Sequence, residues 1–159
     1  MSKPDIDASL RSGELILLDT SALIAYFDKN EQVSQVAEHI IDELVRSGRN
    51  PAVVSMVTVM EVLVQPLRQE ANEACQLIMD FLSNFPNIQP IPIDLDIAQK
   101  AASLRARHGF RSPDALIIAT GILARVSHLV TNDGNWQKKL RPISNRANVC
   151  YLGDYLQYS

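Results

Sequence analysis

The sequence predicts an α/β fold with three layers, α/β/α, around a mainly parallel central sheet. The first observation is that short apolar runs of strand length alternate with longer segments of helical periodicity, which is typical of parallel sheets covered by helices on both faces. A second observation is the length of 159 residues with 47% hydrophobic and 21% charged residues, which fits one globular domain. We therefore expect one domain at 15–159, preceded by an N-terminal extension at 1–14.

The first half of the chain supplies three predicted strands. The apolar run 15–18 ends at Asp19, and Thr20 and Ser21 are good N-cap residues for a helix that follows. Apolar residues between 33 and 45 recur every three or four positions, which predicts a helix that Gly48 ends. The further expected elements are a buried strand at 51–54, helices at 57–63 and 71–82, and, because it contains two prolines, an edge strand at 88–93.

The second half begins with a helix whose charges match the helix dipole. Asp94 caps it, basic residues fill its last turn, and Gly109 ends it. Ser112 is the expected N-cap of the next helix, with Pro113 in its first position. That helix is apolar on nearly all sides from 115 to 124, so we expect it to be buried. A strand at 129–131, a short helix at 136–140 and a last strand at 149–151 complete the prediction.

Composition excludes several classes of protein. The two cysteines, Cys75 and Cys150, have no partner at metal-ligand or redox-motif spacing, so no disulfide framework is implied. No secretory signal and no run of 18 apolar residues is found, which predicts a cytoplasmic protein that does not span a membrane.

Charge is unevenly distributed along the chain. The net charge is −3, yet residues 1–98 carry 6 Lys/Arg against 15 Asp/Glu, whereas residues 99–146 carry 9 against 2. The two acids in the basic stretch are Asp114 and Asp133. Because they interrupt a positive run, ordinary surface charge balance explains them poorly.

Four carboxylates are expected at one edge of the sheet, where ligands of open parallel sheets bind. They are Asp19, Glu61, Asp114 and Asp133. Each has a structural alternative: Asp19 and Asp114 suit helix N-termini, and Asp133 lies in an Asn-Asp-Gly turn signal. Glu61 is harder to explain this way, because apolar residues surround it in the sequence.

A shared edge would make these carboxylates repel one another unless a cation held them. Oxygen ligands favour a hard ion, Mg²⁺ or Mn²⁺, over zinc. Zinc has little support, since the three histidines are far apart in the sequence and have no Cys or His at ligand spacing. These residues therefore predict a site for a hard divalent cation.

The surroundings of these acids resemble the four motifs of PIN-domain nucleases, and the closest similarity is to VapC-type toxins of bacterial toxin–antitoxin pairs. The motifs stand in order and cover most of the chain from Leu15 to Tyr151. Their sequences are LLDTSALI (17–24), VMEVL (59–63), SPDALIIA (112–119) and LVTNDGNW (129–136). The stretch of about 14 residues before the first predicted strand departs from such toxins, which typically begin almost at once.

The resemblance implies a Mg²⁺- or Mn²⁺-dependent endoribonuclease, commonly a homodimer, held inactive by an antitoxin protein. It makes the four acids the metal ligands and catalytic residues, with Thr20, Thr131 and Asn132 as supporting polar residues. Basic residues must bring in the RNA. Residues 99–146 can supply them, and Arg111, Lys138 and Lys139 are the expected substrate-binding residues among the candidates Lys100, Arg105, Arg107, Arg111, Lys138, Lys139, Arg141 and Arg146. Trp136 is expected to pack under the sheet edge rather than stack on a base.

Two other functions remain open at this point. A catalytically inactive PIN-like module could bind RNA or protein, although a module that only binds has no reason to retain buried, unpaired charge. A phosphatase of the haloacid-dehalogenase kind also begins with an Asp after a strand. That class needs a second Asp two residues later, where this chain has Ser21.

Overall fold

Five parallel strands form the central sheet in the computed structural model, which describes residues 5–156. The strand order is β3-β2-β1-β4-β5. The strands are β1 (Ile16–Leu18), β2 (Ala52–Ser55), β3 (Ile88–Ile91), β4 (His128–Thr131) and β5 (Asn148–Tyr151). The predicted parallel sheet is confirmed, and β3, which contains Pro90, lies at an edge as expected.

The chain moves outward from β1 to β3 and then returns to place β4 on the other side of β1. This reversal opens a crevice beyond the carboxyl ends of β1 and β4, which is where open α/β sheets bind ligands. Asp19 directly follows β1, and Asn132 directly follows β4. The topology therefore brings the first and fourth motifs together.

Two hydrophobic cores lie on opposite faces of the sheet, because successive strand residues point to opposite sides. Leu18 and Val54 belong to one core, whereas Leu17, Val53 and Leu129 belong to the other. All are buried. Helices cover both faces, so the three-layer prediction is confirmed.

Eight α-helices surround the sheet in the described part of the chain. They are α1 (Ile6–Ser9), α2 (Thr20–Phe27), α3 (Ser34–Glu38), α4 (Met56–Arg68), α5 (Asn72–Asn84), α6 (Leu95–His108), α7 (Ser112–Leu123) and α8 (Trp136–Lys139). Short 3₁₀ turns occupy Arg141–Ile143 and Leu152–Tyr155. None of the helices between residues 5 and 156 has the length and apolar content of a membrane-spanning segment.

The predicted helix between residues 33 and 45 is present but changes form along its length. It is α-helical in α3 and continues as a π-helix over His39–Val45. The amide of Arg46 donates to the carbonyl of Ile41, five residues earlier, at 3.0 Å. The apolar spacing predicted the buried face correctly, but it cannot distinguish the two kinds of helix.

Two predicted helix starts differ by one residue from those observed. Asp19 itself caps α2, so the expected caps Thr20 and Ser21 lie inside the helix. Ser112 is the first residue of α7, after Arg111 at the N-cap position. The shift places Pro113 one position later, which its missing N–H allows because the first turn of a helix needs no such donor.

Residues 5–14 pack against the opposite edge of the sheet from the motifs. Leu10 is fully buried in the core of the α2 face. The side-chain amide of Asn50 donates to the backbone carbonyls of Arg11 and Glu14 at 2.7 and 3.0 Å. The guanidinium of Arg49 donates to the carbonyls of Leu10 and Asp7 at 2.7 and 2.9 Å. These contacts fasten the N-terminal extension to the loop before β2.

Candidate active site

Asp19 is the most buried carboxylate of the candidate site, with 3% of its surface exposed. One carboxylate oxygen accepts from the amide of Ala22 and from the hydroxyl of Ser21, both at 2.8 Å. The other oxygen accepts from the hydroxyl of Thr131 at 2.6 Å. Asp19 therefore caps α2 and also connects β1 to the end of β4.

Burial raises the pKa of Asp19 from its ordinary value of 3.8 to about 6. Hydrogen bonds from Thr131, Ala22 and Ser21 oppose this rise, while the negative charge of Asp133 adds to it. Among residues 5–156, no Lys, Arg or His forms an ion pair with Asp19. The carboxylate is thus desolvated and lacks a compensating cation from the described chain.

The segment after β4 closes over Asp19 through hydroxyl groups. The backbone amide of Asn132 donates to Ser21 Oγ at 2.8 Å, and that of Asp133 donates to Thr131 Oγ1 at 3.0 Å. The Asp133 carboxylate accepts from the amide of Asn135 at 2.9 Å and is half-buried. These contacts place Asp133 near Asp19 without any direct bond between them.

Glu61 joins the site through Thr20, the residue after Asp19. The Thr20 hydroxyl donates to Glu61 Oε1 at 2.6 Å and lies 3.1 Å from the hydroxyl of Thr58. Thr58 and Glu61 are one turn apart on α4, so both face α2. This arrangement holds a second carboxylate beside the first motif.

Asp114 lies in the first turn of α7 and has a different partner. Its carboxylate is 3.6 Å from Lys139 Nζ of α8, and it forms no hydrogen bond with the other three acids. The side chains of this pair are partly exposed, at 21% for Asp114 and 45% for Lys139. Asp114 is thus neutralised by the chain itself, unlike Asp19.

The donor groups fit a hard divalent cation in their chemistry. All four candidate ligands are carboxylates, and neither Glu61 nor Asp133 has an ion-pair partner in the described part of the chain. Within residues 5–156, however, no group of three or more acidic, His or Cys side chains is already arranged to hold a metal ion. The structure brings Asp133 near Asp19 and connects Glu61 to the neighbouring Thr20. No hydrogen bond or ion pair among the described residues connects Asp114 to the other three acids.

Several other predicted residues can now be placed. Arg111 and Lys138 are exposed, whereas Lys139 contacts Asp114. Trp136 is buried at 2% exposure, as expected for packing rather than base stacking. Ser21 and Thr58 also contact the candidate site. The sequence predicted Ser21 only as a helix cap and gave no role to Thr58, because a hydroxyl residue type does not reveal its hydrogen-bond partner.

The family model of the PIN domain matches residues 16–141, and this range contains all four acids. The chain belongs to the PIN domain family. Its assignment agrees with the sheet order and with the carboxylates at the ends of β1 and β4.

Solved structures with the same fold include toxin–antitoxin proteins. One is a chain from a toxin–antitoxin complex of Klebsiella pneumoniae. That chain is 26% identical in sequence with a TM-score of 0.63, and the alignment covers 86% of the present chain and 97% of the Klebsiella chain. The VapC20 toxin of Mycobacterium tuberculosis is 15% identical, with a TM-score of 0.65 and coverages of 77% and 93%.

VapBC2 of Rickettsia felis, solved with a DNA fragment from its promoter, has 16% identity, a TM-score of 0.65 and coverages of 86% and 98%. Because their sequence identities are only 15% and 16%, VapC20 and VapBC2 show that this chain shares their fold and nothing more. No curated protein matches the sequence.

Proposed function

We propose that this PIN domain protein is a Mg²⁺- or Mn²⁺-dependent endoribonuclease that acts as the toxin of a toxin–antitoxin pair. The observation that carries the proposal is the buried Asp19 carboxylate, which has a raised pKa and no cationic partner among the described residues. A buried charge of this kind is costly unless a ligand compensates it. Metal binding at the end of β1 would supply that compensation.

Asp19, Glu61, Asp114 and Asp133 would hold the metal. A bound Mg²⁺ or Mn²⁺ supplies charge stabilisation at a scissile phosphate and lowers the pKa of a coordinated water. The hydroxyls of Ser21 and Thr131 keep the Asp19 carboxylate oriented through short hydrogen bonds. Thr20 orients Glu61 in the same way, and Asn132, whose amide is bonded to Ser21, keeps the loop after β4 close to Asp19.

RNA is the proposed substrate, and similarity to named proteins supports this choice. The M. tuberculosis relative is described as a toxin that cleaves the sarcin–ricin loop. The K. pneumoniae relative, at 26% identity, comes from a toxin–antitoxin complex. An antitoxin is accordingly the proposed protein partner, and a second copy of the chain is the other.

The test is cleavage of labelled RNA by wild type, Asp19→Asn and Asp80→Asn proteins, with Mn²⁺ or with EDTA. Asp80 is an exposed carboxylate on α5 that accepts from Gln76, so it controls for loss of one negative charge. We expect cleavage only by wild type and Asp80→Asn, and only with metal. Cleavage by Asp19→Asn at the wild-type rate, or in EDTA, would contradict the proposal.

A second candidate is the inactive PIN-like module, and the Asp114–Lys139 contact favours it because a ligand position is already neutralised. Thermal unfolding distinguishes the two functions. An enzyme that binds metal in its native state should gain stability with millimolar Mn²⁺, and Asp19→Asn should lose that gain. An inactive module should show neither metal-dependent stabilisation nor cleavage while its fold stays intact.

A further inference from the structure

A basic pocket lies on the α6–α7 side of the molecule, separate from the four acids. It encloses about 200 Å³ between α6, α7 and the 3₁₀ turn Arg141–Ile143. Its charged lining consists of Lys100, Arg107 and Arg146, with His108 beside them. Among residues 5–156, no carboxylate lines the pocket.

The cations of this pocket have no acidic partner in the described structure. None of the ion pairs between residues 5 and 156 includes Lys100, Arg107, His108 or Arg146. The acids Asp114 and Asp133 of the same basic stretch belong to the candidate site and are not in the lining. Three like charges around one cavity repel one another, so an anion bound there would relieve that repulsion.

The lining of the pocket suits a phosphate group. Its accessible surface is mainly polar, because Ser103 and Asn145 add neutral hydrogen-bonding groups to the three cations, while Leu104 and Ile143 are buried. A bound phosphate needs cations and hydrogen-bond donors. The combination therefore suits the phosphodiester backbone of a nucleic-acid chain.

Two short chain segments connect the pocket to Asp114 and its partner Lys139. Lys139, which contacts Asp114 at 3.6 Å, is three residues before Pro142 of the pocket, a reach of at most about 11 Å. His108 at the end of α6 precedes Asp114 by only six residues. One extended polynucleotide could thus contact both places.

We propose that this pocket binds a backbone phosphate of the RNA chain outside the cleaved bond. The inference rests on the proposed ribonuclease function and adds the side of the molecule along which the substrate lies. It also selects Lys100, Arg107 and Arg146 from the basic residues that the sequence predicts to bring in RNA, because these three line one cavity. Lys139, by contrast, is engaged by Asp114.

The test is the binding of a labelled single-stranded RNA over a range of salt concentrations, measured by fluorescence anisotropy in EDTA. Each neutralised phosphate contact contributes about 0.7 to the slope of log K against log salt for single strands. We expect Arg107→Gln and Arg146→Gln each to weaken binding about 3- to 10-fold at low salt and to reduce the slope by about that amount. The double variant should reduce it by roughly twice as much.

Arg68→Gln is the matched control, because Arg68 is an exposed arginine at the end of α4 and does not line the pocket. Its affinity and salt slope should equal those of wild type. Equal losses in Arg68→Gln and the pocket variants would show a general charge effect and overturn the proposal. Unchanged binding in the pocket variants would do the same.

Competitors distinguish other ligands of the same charge. Inorganic phosphate or polyglutamate that displaces the RNA at equal phosphate or carboxylate concentration would assign the pocket to a free anion or to an acidic protein segment instead. Failure of the ribonuclease function gives a different result: no cleavage with metal, but RNA binding that still depends on the pocket. Cleavage with pocket-independent binding would overturn only the present inference.

Discussion

The Asp19 carboxylate is the residue whose energetics differ most from those of an ordinary surface acid. It retains three hydrogen bonds, yet burial still raises its pKa. Since a tenfold change in proton affinity is worth about 1.4 kcal/mol, the rise from 3.8 to about 6 corresponds to about 3 kcal/mol. The ionised residue therefore destabilises the metal-free fold by an amount that a bound cation could recover.

The sign of this effect predicts how stability depends on pH. The native state binds the Asp19 proton more tightly than the unfolded chain, so the contribution of Asp19 to stability falls as the pH rises from about 4 to 6. Asp19→Asn removes the charge and keeps the shape. In EDTA at pH 7 we expect it to raise the free energy of unfolding by about 2–3 kcal/mol.

Urea unfolding at pH 7 and pH 4 checks this prediction. The gain of Asp19→Asn over wild type should be largest at pH 7 and much smaller at pH 4, where Asp19 is protonated in the native state and only about half ionised in the unfolded chain. Asp80→Asn, at an exposed position, should follow wild type at both pH values. A loss of stability in Asp19→Asn at pH 7 would mean that its hydrogen bonds outweigh the cost of burial.

The candidate acids could be located from the sequence, but their contacts could not. Asp19 and Asp133 follow strands, and strand ends of a parallel sheet share one edge, so their proximity follows from the predicted topology. The Thr20–Glu61 hydrogen bond joins residues 41 positions apart, and the Lys139–Asp114 pair depends on how α8 is placed against α7. Such contacts depend on packing that no local pattern encodes.

At the scale of elements, α7 approaches the sheet closely at Gly121. A Cβ at this position would lie 2.8 Å from a methyl group of Leu129 and 3.3 Å from one of Leu17, both buried strand residues. Glycine costs a helix about 1 kcal/mol relative to alanine. The close packing of α7 on β1 and β4 is a physical reason for accepting that cost.

Substitutions at Gly121 should therefore have two opposing effects, a gain in helix propensity and a loss of close packing between α7 and the sheet. Gly121→Ala gains about 1 kcal/mol of helix propensity, but its methyl group must displace Leu129. Because overpacking of this kind typically costs about 1–3 kcal/mol, we expect the free energy of unfolding to fall by about 1 kcal/mol. Gly121→Val should lose roughly 3 kcal/mol or more. Thermal and urea unfolding measure both, and an increase in stability for Gly121→Ala would show that α7 can shift without cost.

Element types were more predictable than element boundaries. The helix predicted at 57–63 lies within the longer α4, and the one predicted at 71–82 begins one residue before α5 and ends two residues early, because apolar periodicity identifies a buried face but not where the helix ends. Where a cap has a strong signal, both ends are correct: Asp94 caps α6 through Ile97 N at 2.8 Å, and Gly109 ends it with a positive φ of 70°. The extension helix α1, with only four residues, was not predicted.

The outer face of α4 carries an apolar stripe that the described chain leaves exposed. Met56, Met60, Val64 and Leu67 lie at spacings of four, four and three residues, and Met60 and Leu67 are 58% and 61% exposed. An uncharged helical stripe can pack against its own copy about a two-fold axis. We expect a second copy of the chain to cover it, in line with the proposed dimer.

Introducing charge into the stripe tests this occupant. Met60→Glu should convert a dimer into a monomer in light-scattering measurements, since a two-fold axis places two new carboxylates in one interface. Asn72→Glu, at an exposed position of α5 outside the stripe, adds the same charge and should leave the mass unchanged. If Met60→Glu remained dimeric, the dimer interface would have to lie on a surface other than the α4 stripe.

Over the whole molecule, the two edges of the sheet have different roles. The carboxyl edge holds Asp19 and Asp133, which follow β1 and β4, whereas residues 5–14 cover the amino edge and reach β4 through the Glu14–His128 contact at 2.9 Å. Hydrogen bonding to His128 lowers the pKa of Glu14. Stability contributed at one edge can thus be changed without touching the groups that would bind metal at the other.

Leu10→Ala tests this separation. Leu10 is fully buried among the side chains of the α2-side core, so the cavity left behind should lower the free energy of unfolding by about 2–4 kcal/mol. Ile6→Ala, on the same segment but only partly buried, should lose about 1 kcal/mol. Below the melting temperature, both variants should retain the manganese-dependent stabilisation of wild type, because neither residue lies at the carboxyl edge. A free energy of unfolding equal to that of wild type in Leu10→Ala would show that residues 5–14 do not stabilise the fold. Loss of the metal-dependent stabilisation in folded Leu10→Ala protein would show that changes at the amino edge affect the carboxyl edge.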